Sequence, residues 1–272
     1  MKFYTTLTIT LCLVPMLLNT AAGQGISLSP TRLFFTGNPG QTSSQTVHFD
    51  NTSNKPFAFI TRIQDFERDS LGNKVYFAAN TQPASNASWI TISSGNVIIQ
   101  PGEKKEVTIT MNIPQDAKQQ AHSMIFFTQT LEQKQTAATT GTALGMNILL
   151  EMGIQVYYTP VSLPTGELEF LSFDDRGNYD DGKTKSRRLA IKIHNTGAIN
   201  KDGFVRFELT NKDTGEETKI KPQNIAMLPD ATQWVLLDLP ADLKGKFLVV
   251  AMLDAGASYD LKVAEKEITY RP

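Results

Sequence analysis

Apolar and polar side chains alternate along most of this chain. In residues 106–113, every second residue from Val107 to Ile113 is apolar, and the residues between them are polar. A period of two is typical of a β-strand that buries one of its faces. Comparable strand patterns are found in residues 26–35, 46–49, 57–66, 123–130, 144–158, 168–173, 189–194, 205–209, 234–239, 247–253 and 261–270.

These segments predict an all-β fold. No apolar stripe at helical spacing extends beyond about two turns, and glycine, proline and asparagine recur between the predicted strands. Many short strands at intervals of roughly 8–12 residues are typical of β-sandwiches and barrels.

A repeated motif indicates two domains of the same kind. Residues 47–53 join a strand end to an Asn-Thr-Ser turn, and residues 191–197 join a strand end to an Asn-Thr-Gly turn. Residues 101–116 and 229–242 then share a second pattern in the same order, with a turn, a strand, a proline and an aspartate. We therefore predict two Ig-like β-sandwich domains in tandem.

The boundary between the domains is predicted from prolines. Pro160 and Pro164 end the long strand pattern of residues 144–158, and proline is disfavoured inside a sheet. This divides the folded chain into an N-terminal domain at residues 23–160 and a C-terminal domain at residues 161–272.

The first 22 residues resemble a secretory signal peptide. Lys2 precedes an apolar run at residues 7–18, and small residues follow it. The run is too short to span a bilayer, which needs about 20 residues. The single cysteine, Cys12, lies in this segment. We therefore expect an exported protein whose mature chain has no disulfide and no membrane span.

Composition excludes some classes of function. The formal net charge is −1 over 272 residues, whereas nucleic-acid-binding proteins usually carry a basic excess. The 15 phenylalanines supply enough apolar surface to exclude a disordered chain.

The residues give little support to catalysis. The three histidines, His48, His122 and His194, have no metal-ligand spacing, and no serine lies in a nucleophile elbow. Residues 174–182 form an acidic cluster, but Arg176 falls at a ligand position of a calcium loop, so a solvated hairpin tip is the simpler interpretation. We predict a non-enzyme without catalytic residues, metal or cofactor.

Five segments together resemble the PapD-like periplasmic pilus chaperones. Residues 26–35 are similar to the opening strand of that family, and residues 51–56 to its Asn-x-Ser-x-x-Pro turn. Residues 99–103 and 113–116 are similar to its Pro-Gly-Glu and Leu-Pro-x-Asp blocks, and residues 153–160 to the end of its last first-domain strand. The resemblance covers residues 26–160, and the order of the segments matters more than any one of them.

The resemblance implies a chaperone that lends a strand to a pilus or fimbrial subunit that lacks one. It places the donor residues at four alternating apolar positions, which are Leu144, Met146, Ile148 and Leu150. It also implies that Arg32 and the residue at position 155 bind the terminal carboxylate of the subunit. The expected partners are a pilin-like surface-fibre subunit and an outer-membrane usher.

Two alternatives remain open for these residues. Residues 144–158 also fit an internal strand packed in its own core, and Arg32 also fits an ordinary exposed strand arginine. Position 155 is glutamine where the family has lysine, which removes one charge from the anchor. Arg62 and Lys55 are candidates to compensate for it.

The alternative function is a non-catalytic envelope or surface module that binds glycan, peptidoglycan or protein. Such modules usually expose aromatic side chains, and the candidates here are Trp89, Tyr76 and Tyr179. Trp89 lies in an alternating segment, which favours a core position for it.

Overall fold

The computed structural model describes residues 25–130, 149–180, 182–183, 185–240 and 243–270, which fold into two β-sandwiches in tandem. The prediction of an all-β chain with two Ig-like sandwiches is confirmed. The predicted signal peptide and the predicted donor residues Leu144, Met146 and Ile148 lie outside the described residues.

The first sandwich has one four-stranded and one six-stranded sheet. Its described strands are β1 (Ile26–Ser29), β2 (Arg32–Gly37), β3 (Thr42–Asn51), β4 (Phe57–Arg68), β5 (Lys74–Ala78), β6 (Ile90–Ile92), β7 (Asn96–Ile99), β8 (Lys104–Asn112), β9 (Ala121–Gln129) and β10 (Glu151–Pro160). The smaller sheet has the order β1-β3-β8-β6. The larger has the order β2-β10-β9-β4-β5, with β7 also paired to β4.

The second sandwich has a three-stranded and a four-stranded sheet. Its described strands are β11 (Leu168–Asp180), β12 (Lys185–Asn195), β13 (Lys201–Asn211), β14 (Glu217–Met227), β15 (Thr232–Pro240), β16 (Gly245–Asp254) and β17 (Lys262–Tyr270). The sheet orders are β11-β12-β15 and β14-β13-β16-β17.

Each sandwich encloses its own apolar core. Phe49 packs against Phe59 and Phe127 in the first core, and each of the three is at most 1% exposed. Burying a side chain of this size stabilises the fold by about 1.5–3 kcal/mol. The first core ends at Tyr158 and the second begins at Leu168. The predicted domain boundary after residue 160 lies between them and stays a prediction.

The single strand predicted at residues 26–35 is wrong, because this segment forms two strands in different sheets. β1 pairs antiparallel with β3, whereas β2 pairs parallel with β10 of the six-stranded sheet. Pro30 lies between them and has no N–H to donate to a ladder. The crossing makes Arg32 the first residue of β2.

The hairpin predicted around residues 174–182 is present, but most of this segment is strand rather than tip. β11 continues to Asp180 and pairs with β12 along most of this segment. Asp175 accepts a hydrogen bond from Arg187 Nε at 3.1 Å, and this arginine lowers the pKa of the carboxyl. Two register shifts, one between Asp175 and Gly177, interrupt the alternation that would have indicated a long strand.

Asn51 of the repeated motif holds a buried turn. Its Nδ2 donates to the carbonyls of Lys55 at 2.8 Å and Gln100 at 2.9 Å, and its Oδ1 accepts from the Ser53 N–H at 3.0 Å. The side chain is fully buried, so these bonds replace all contact with water.

Asn195 does the same in the second sandwich. Its Nδ2 donates to the carbonyls of Ile199 at 2.8 Å and Leu228 at 2.9 Å, and its Oδ1 accepts from the Gly197 N–H at 3.0 Å. The motif therefore repeats because both sandwiches need the same buried amide at this turn.

We expect Asn51→Ala to lower the free energy of unfolding by about 2–4 kcal/mol, because the buried carbonyls lose their donor. Asn195→Ala should have an effect of the same order. Denaturant unfolding of the purified variants measures both. The matched control is Asn112→Ala, which removes an exposed asparagine on β8 and should cost less than about 0.5 kcal/mol. An Asn51→Ala value as small as that of the control would contradict this role.

Candidate functional site

Parallel pairing of β2 with β10 brings Arg32 and Gln155 together. Arg32 is the Cα partner of Gln155, and the pairing continues to Gly37 and Pro160. The Gln155 N–H donates to the Thr31 carbonyl at 3.0 Å, so the ladder begins here. Directly paired residues project from the same face of a sheet, and this face is turned towards the second sandwich.

The Gln155 side chain orients a second arginine. It is 7% exposed, and its Oε1 accepts hydrogen bonds from the Tyr157 hydroxyl at 2.8 Å and from Arg68 Nη2 at 3.3 Å. The neutral glutamine therefore stands where the resemblance implies a lysine, but a guanidinium from β4 lies against it.

Arg68 and Lys74 add two cations beside Arg32. Arg68 Nη1 donates to the Gly72 carbonyl at 2.7 Å, and its buried Nε has no hydrogen-bond partner among the described residues. Lys74 on β5 is the Cα partner of Arg68. Burial lowers the pKa of Lys74, and the nearby charges of Arg68 and Arg32 lower it further.

Asp202 on β13 faces this group from the second sandwich. Its carboxylate forms a salt bridge with the Arg32 guanidinium. The Arg32 and Asp202 side chains are 33% and 48% exposed, and partly solvated pairs of this kind contribute only about 0–1 kcal/mol to stability. Asp202 therefore occupies Arg32 without holding it strongly.

A cleft of about 650 Å³ lies between the sandwiches, and its lining includes Arg32, Arg68, Lys74 and Asp202. Arg32, Arg68 and Lys74 form its first-sandwich wall together with residues 71–73, and the second-sandwich wall includes Asp202 and Asp254. An open cleft with three cations suits an anionic ligand.

Contacts beside the cleft connect the two walls. The Trp234 N–H donates to the Ser70 carbonyl at 2.7 Å, and Gln120 Nε2 donates to Asn200 Oδ1 at 2.9 Å. Leu228 of the second sandwich packs against an apolar cluster on the outer face of the six-stranded sheet, which consists of Phe66, Met124, Phe126 and Tyr157. The cleft is therefore built on a packed interface.

Sequence reasoning missed Arg68, Lys74 and Asp202. Alternation along β4 places Arg68 on the same face as Phe66, which was a usable signal for one of them. Asp202 lies 170 residues from Arg32, and no local pattern links the two.

The two residues expected to compensate for Gln155 lie elsewhere. Arg62 Nη2 donates to both carboxylate oxygens of Glu151 at 3.0 Å, and its guanidinium lies 4.3 Å from the centre of the Phe126 ring. Lys55 lies in the turn between β3 and β4. The described lining of the cleft includes neither.

Upstream of Gln155, one edge of β10 is unpaired among the described residues. β10 pairs with β9 from Glu151 to Tyr158, but with β2 only from Gln155 onward. The Leu150 carbonyl accepts from the Gln129 N–H at 2.9 Å, which is the side of β9. Because strand backbone groups alternate in direction, those of Glu151 and Gly153 face the open side.

The described part of the predicted donor segment has two environments. Ile154, Val156 and Tyr158 belong to the first core and are fully buried. Leu150 is 36% exposed and lies outside that core. An internal strand therefore accounts for residues 154–158, whereas the donor role of Leu150 stays a prediction, as do those of Leu144, Met146 and Ile148.

His122 is the one histidine buried at this interface. Its Nε2 bonds the Phe66 carbonyl at 2.9 Å, and its buried Nδ1 has no partner among the described residues. Burial lowers the pKa of His122 from 6.5 to about 4. His48 and His194 instead lie near the carboxylates of Glu106 and Asp230.

The described residues contain no group of three or more histidine, cysteine, aspartate or glutamate side chains that could hold a metal ion. Among these same residues, no helix is long and apolar enough to cross a membrane.

The aromatic candidates for glycan binding do not form one surface. Trp89, predicted to lie in a strand, is in a 3₁₀ turn and packs edge-on against Tyr158. Tyr76 lies on β5 of the first sandwich, and Tyr179 lies on β11 of the second under the Arg188 guanidinium. No two of the three share a sheet.

Comparison with known proteins finds similarity in solved structures. No family model matches the sequence, and no curated protein matches it. One similar structure is the class 5 fimbriae chaperone CfaA, with 12% identity, a TM-score of 0.47 and coverage of 89% of this chain and 98% of that chain. Another is the CsuC-CsuE chaperone–tip adhesion subunit pre-assembly complex of Acinetobacter baumannii, with 12% identity, a TM-score of 0.47 and coverage of 89% and 97%.

A third is the Salmonella enterica SafA pilin in complex with the SafB chaperone. The match has 12% identity and a TM-score of 0.45, and it covers 88% of this chain and 95% of that chain. Two of these three structures contain a tip adhesion subunit or a pilin together with the chaperone.

The lowered pKa of His122 predicts the sign of a pH effect on stability. Between about pH 6.5 and pH 4 the unfolded chain binds a proton at this residue and the folded chain does not. The contribution of neutral His122 to the free energy of unfolding is therefore fully present above pH 6.5. Up to about 3 kcal/mol of it is lost as the pH falls to 4.

Denaturant unfolding between pH 4 and pH 7.5 measures the effect. His122→Gln should flatten the pH dependence relative to the wild type, whereas His48→Gln, at an exposed histidine, should leave it unchanged. Equal pH dependence in His122→Gln and in the wild type would show that another group is responsible.

Proposed function

We propose that this chain is a divergent PapD-like chaperone that binds and stabilises pilus or fimbrial subunits in the periplasm by lending them an edge β-strand. The observation that carries the proposal is the open edge of β10, which begins beside Gln155 and leads back into the predicted donor residues. An exposed strand edge can add a strand from another chain.

The unpaired backbone groups of Glu151 and Gly153 provide the first hydrogen bonds for such a strand. Leu144, Met146, Ile148 and Leu150 would then insert into the apolar groove of the subunit. Four buried side chains of this kind supply about 6–12 kcal/mol before the costs of association and ordering. The apolar segment therefore provides most of the affinity, and the backbone sets the alignment.

The cleft gives the added strand a fixed end point. Arg32 and Gln155 are proposed as the residues that receive the terminal carboxylate of the subunit, with Gln155 acting as a hydrogen-bonding group without charge. The partners that follow are a pilin-like subunit and an outer-membrane usher. No nucleic acid, cofactor or catalytic step has a role in this mechanism.

Glu151→Pro tests the open edge. Proline removes the N–H that faces the open side and leaves the bonds to β9 in place. The matched control is Glu151→Ala, which loses the same contact with Arg62 but keeps the N–H. We expect Glu151→Pro to reduce complex formation with a pilin-like fibre subunit at least about tenfold more than Glu151→Ala does.

Co-purification from the periplasm measures the complex, and a thermal unfolding scan shows whether each variant is folded. Equal complex formation by folded Glu151→Pro and Glu151→Ala variants would rule out strand addition at this edge.

Ile148→Asp distinguishes a donor residue from a core residue. A charge in the subunit groove would abolish protection of the subunit against proteolysis, while the melting temperature of the free chaperone stays within about 2 °C of the wild type. A large fall in that melting temperature would instead place Ile148 in the chaperone's own core.

A further inference from the structure

The cleft between the sandwiches holds more positive than negative charge. Its described lining carries the cations Arg32, Arg68 and Lys74 and the carboxylates Asp202 and Asp254. Positive side chains therefore outnumber carboxylates in this lining even before the existing ion pairs are considered.

Asp254 is already engaged on its own side of the cleft. It accepts hydrogen bonds from the Arg206 guanidinium and from the Gly256 N–H, the latter at 2.9 Å. Asp202 is thus the carboxylate that reaches the cations of the first sandwich, and it contacts Arg32.

Arg68 and Lys74 have no carboxylate within salt-bridge distance among the described residues. Both are partly buried, and an unpaired charge in that position is costly. The Nε of Arg68 is buried without a hydrogen-bond partner there. These two cations are therefore available to bind an anion that the chain itself does not provide.

The class of that anion follows from the position of the cleft. A carboxylate of the chain itself, that of Asp202, already lies on Arg32. The open edge of β10 ends at this point, so a strand added parallel to β10 would bring its last residue to Arg32. A ligand that carries a carboxylate and also ends a strand parallel to β10 is the C-terminus of an extended peptide.

We propose that Arg68 and Lys74, rather than Gln155, supply with Arg32 the charge that binds this carboxylate, and that Asp202 occupies Arg32 until the carboxylate displaces it. The proposal rests on the proposed function, since it assigns residues to the carboxylate site of the same cleft. Besides its hydrogen-bonding role at the carboxylate, Gln155 positions Arg68, because its Oε1 accepts a hydrogen bond from the Arg68 guanidinium.

The glutamine also has a physical reason to be there. A lysine at position 155 would place a fourth cation against the Arg68 guanidinium, and like charges at that distance repel. Arg68 and Gln155 are therefore a coupled pair. The positive charge that the resemblance implies on β10, at position 155, lies on β4 here, at Arg68.

Binding of two labelled hexapeptides of alternating valine and threonine tests this site, one ending in a free carboxylate and the other in an amide. Fluorescence anisotropy gives the affinity of the full-length protein for each. Arg68→Gln and Lys74→Gln should each weaken binding of the acid peptide roughly three- to tenfold and leave the amide peptide unchanged. Arg68→Lys, which keeps the charge, should retain most of the affinity.

Two further variants test the internal competitor and the coupled pair. Asp202→Asn should bind the acid peptide roughly three- to tenfold more tightly than the wild type. Adding Gln155→Lys to Arg68→Gln should restore binding of the acid peptide, because the charge returns at β10. The control is Lys104→Gln on β8 of the other sheet, which should change neither affinity.

Acid-peptide binding by Arg68→Gln and Lys74→Gln at the wild-type affinity would overturn the assignment of the charges. Unchanged affinity of Asp202→Asn for the acid peptide would overturn the proposal that Asp202 competes with the carboxylate for Arg32. Failure of the proposed function would give a different result. The variants would then bind the two peptides as predicted here, but the wild-type protein would stabilise no fibre subunit.

Discussion

The parallel pairing of β2 with β10 is the constraint on which the rest of this structure depends. It begins at Arg32 and Gln155, and this single register does three things at once. It closes the edge of β10 downstream, leaves that edge open upstream, and pairs Arg32, which lines the cleft, with the buried Gln155 at the point where the open edge stops. A shift of β2 by one residue along β10 would turn the Arg32 side chain to the opposite face of the sheet.

The second sandwich completes the site rather than merely covering it. Leu228 packs on the outer face of the six-stranded sheet, and Asp202 reaches Arg32 across the cleft. The same face carries His122, whose burial lowers its pKa and makes the stability of the interface region sensitive to acid. The contacts that hold the sandwiches together and the charges that would bind a ligand therefore share one surface.

Local patterns predicted the fold well and the site only in part. Alternation identified most strands, and the buried amides of Asn51 and Asn195 explain why the motif repeats. The sheet change at Pro30 was missed, although the inward residues change from even positions, Ile26 and Leu28, to odd positions, Leu33 and Phe35. Arg68 and Asp202 were missed for a related reason, since Arg68 reaches Gln155 through tertiary packing and Asp202 meets Arg32 across 170 residues.

The proposed function depends on the addition of a strand from another protein to the edge of β10 upstream of Gln155. Hydrogen–deuterium exchange of residues 149–155, followed with and without a bound fibre subunit, measures this most directly. We expect the amides of Glu151 and Gly153 to exchange rapidly in the free chain and to become strongly protected in the complex. Rapid exchange of both amides in a complex that has formed would contradict it.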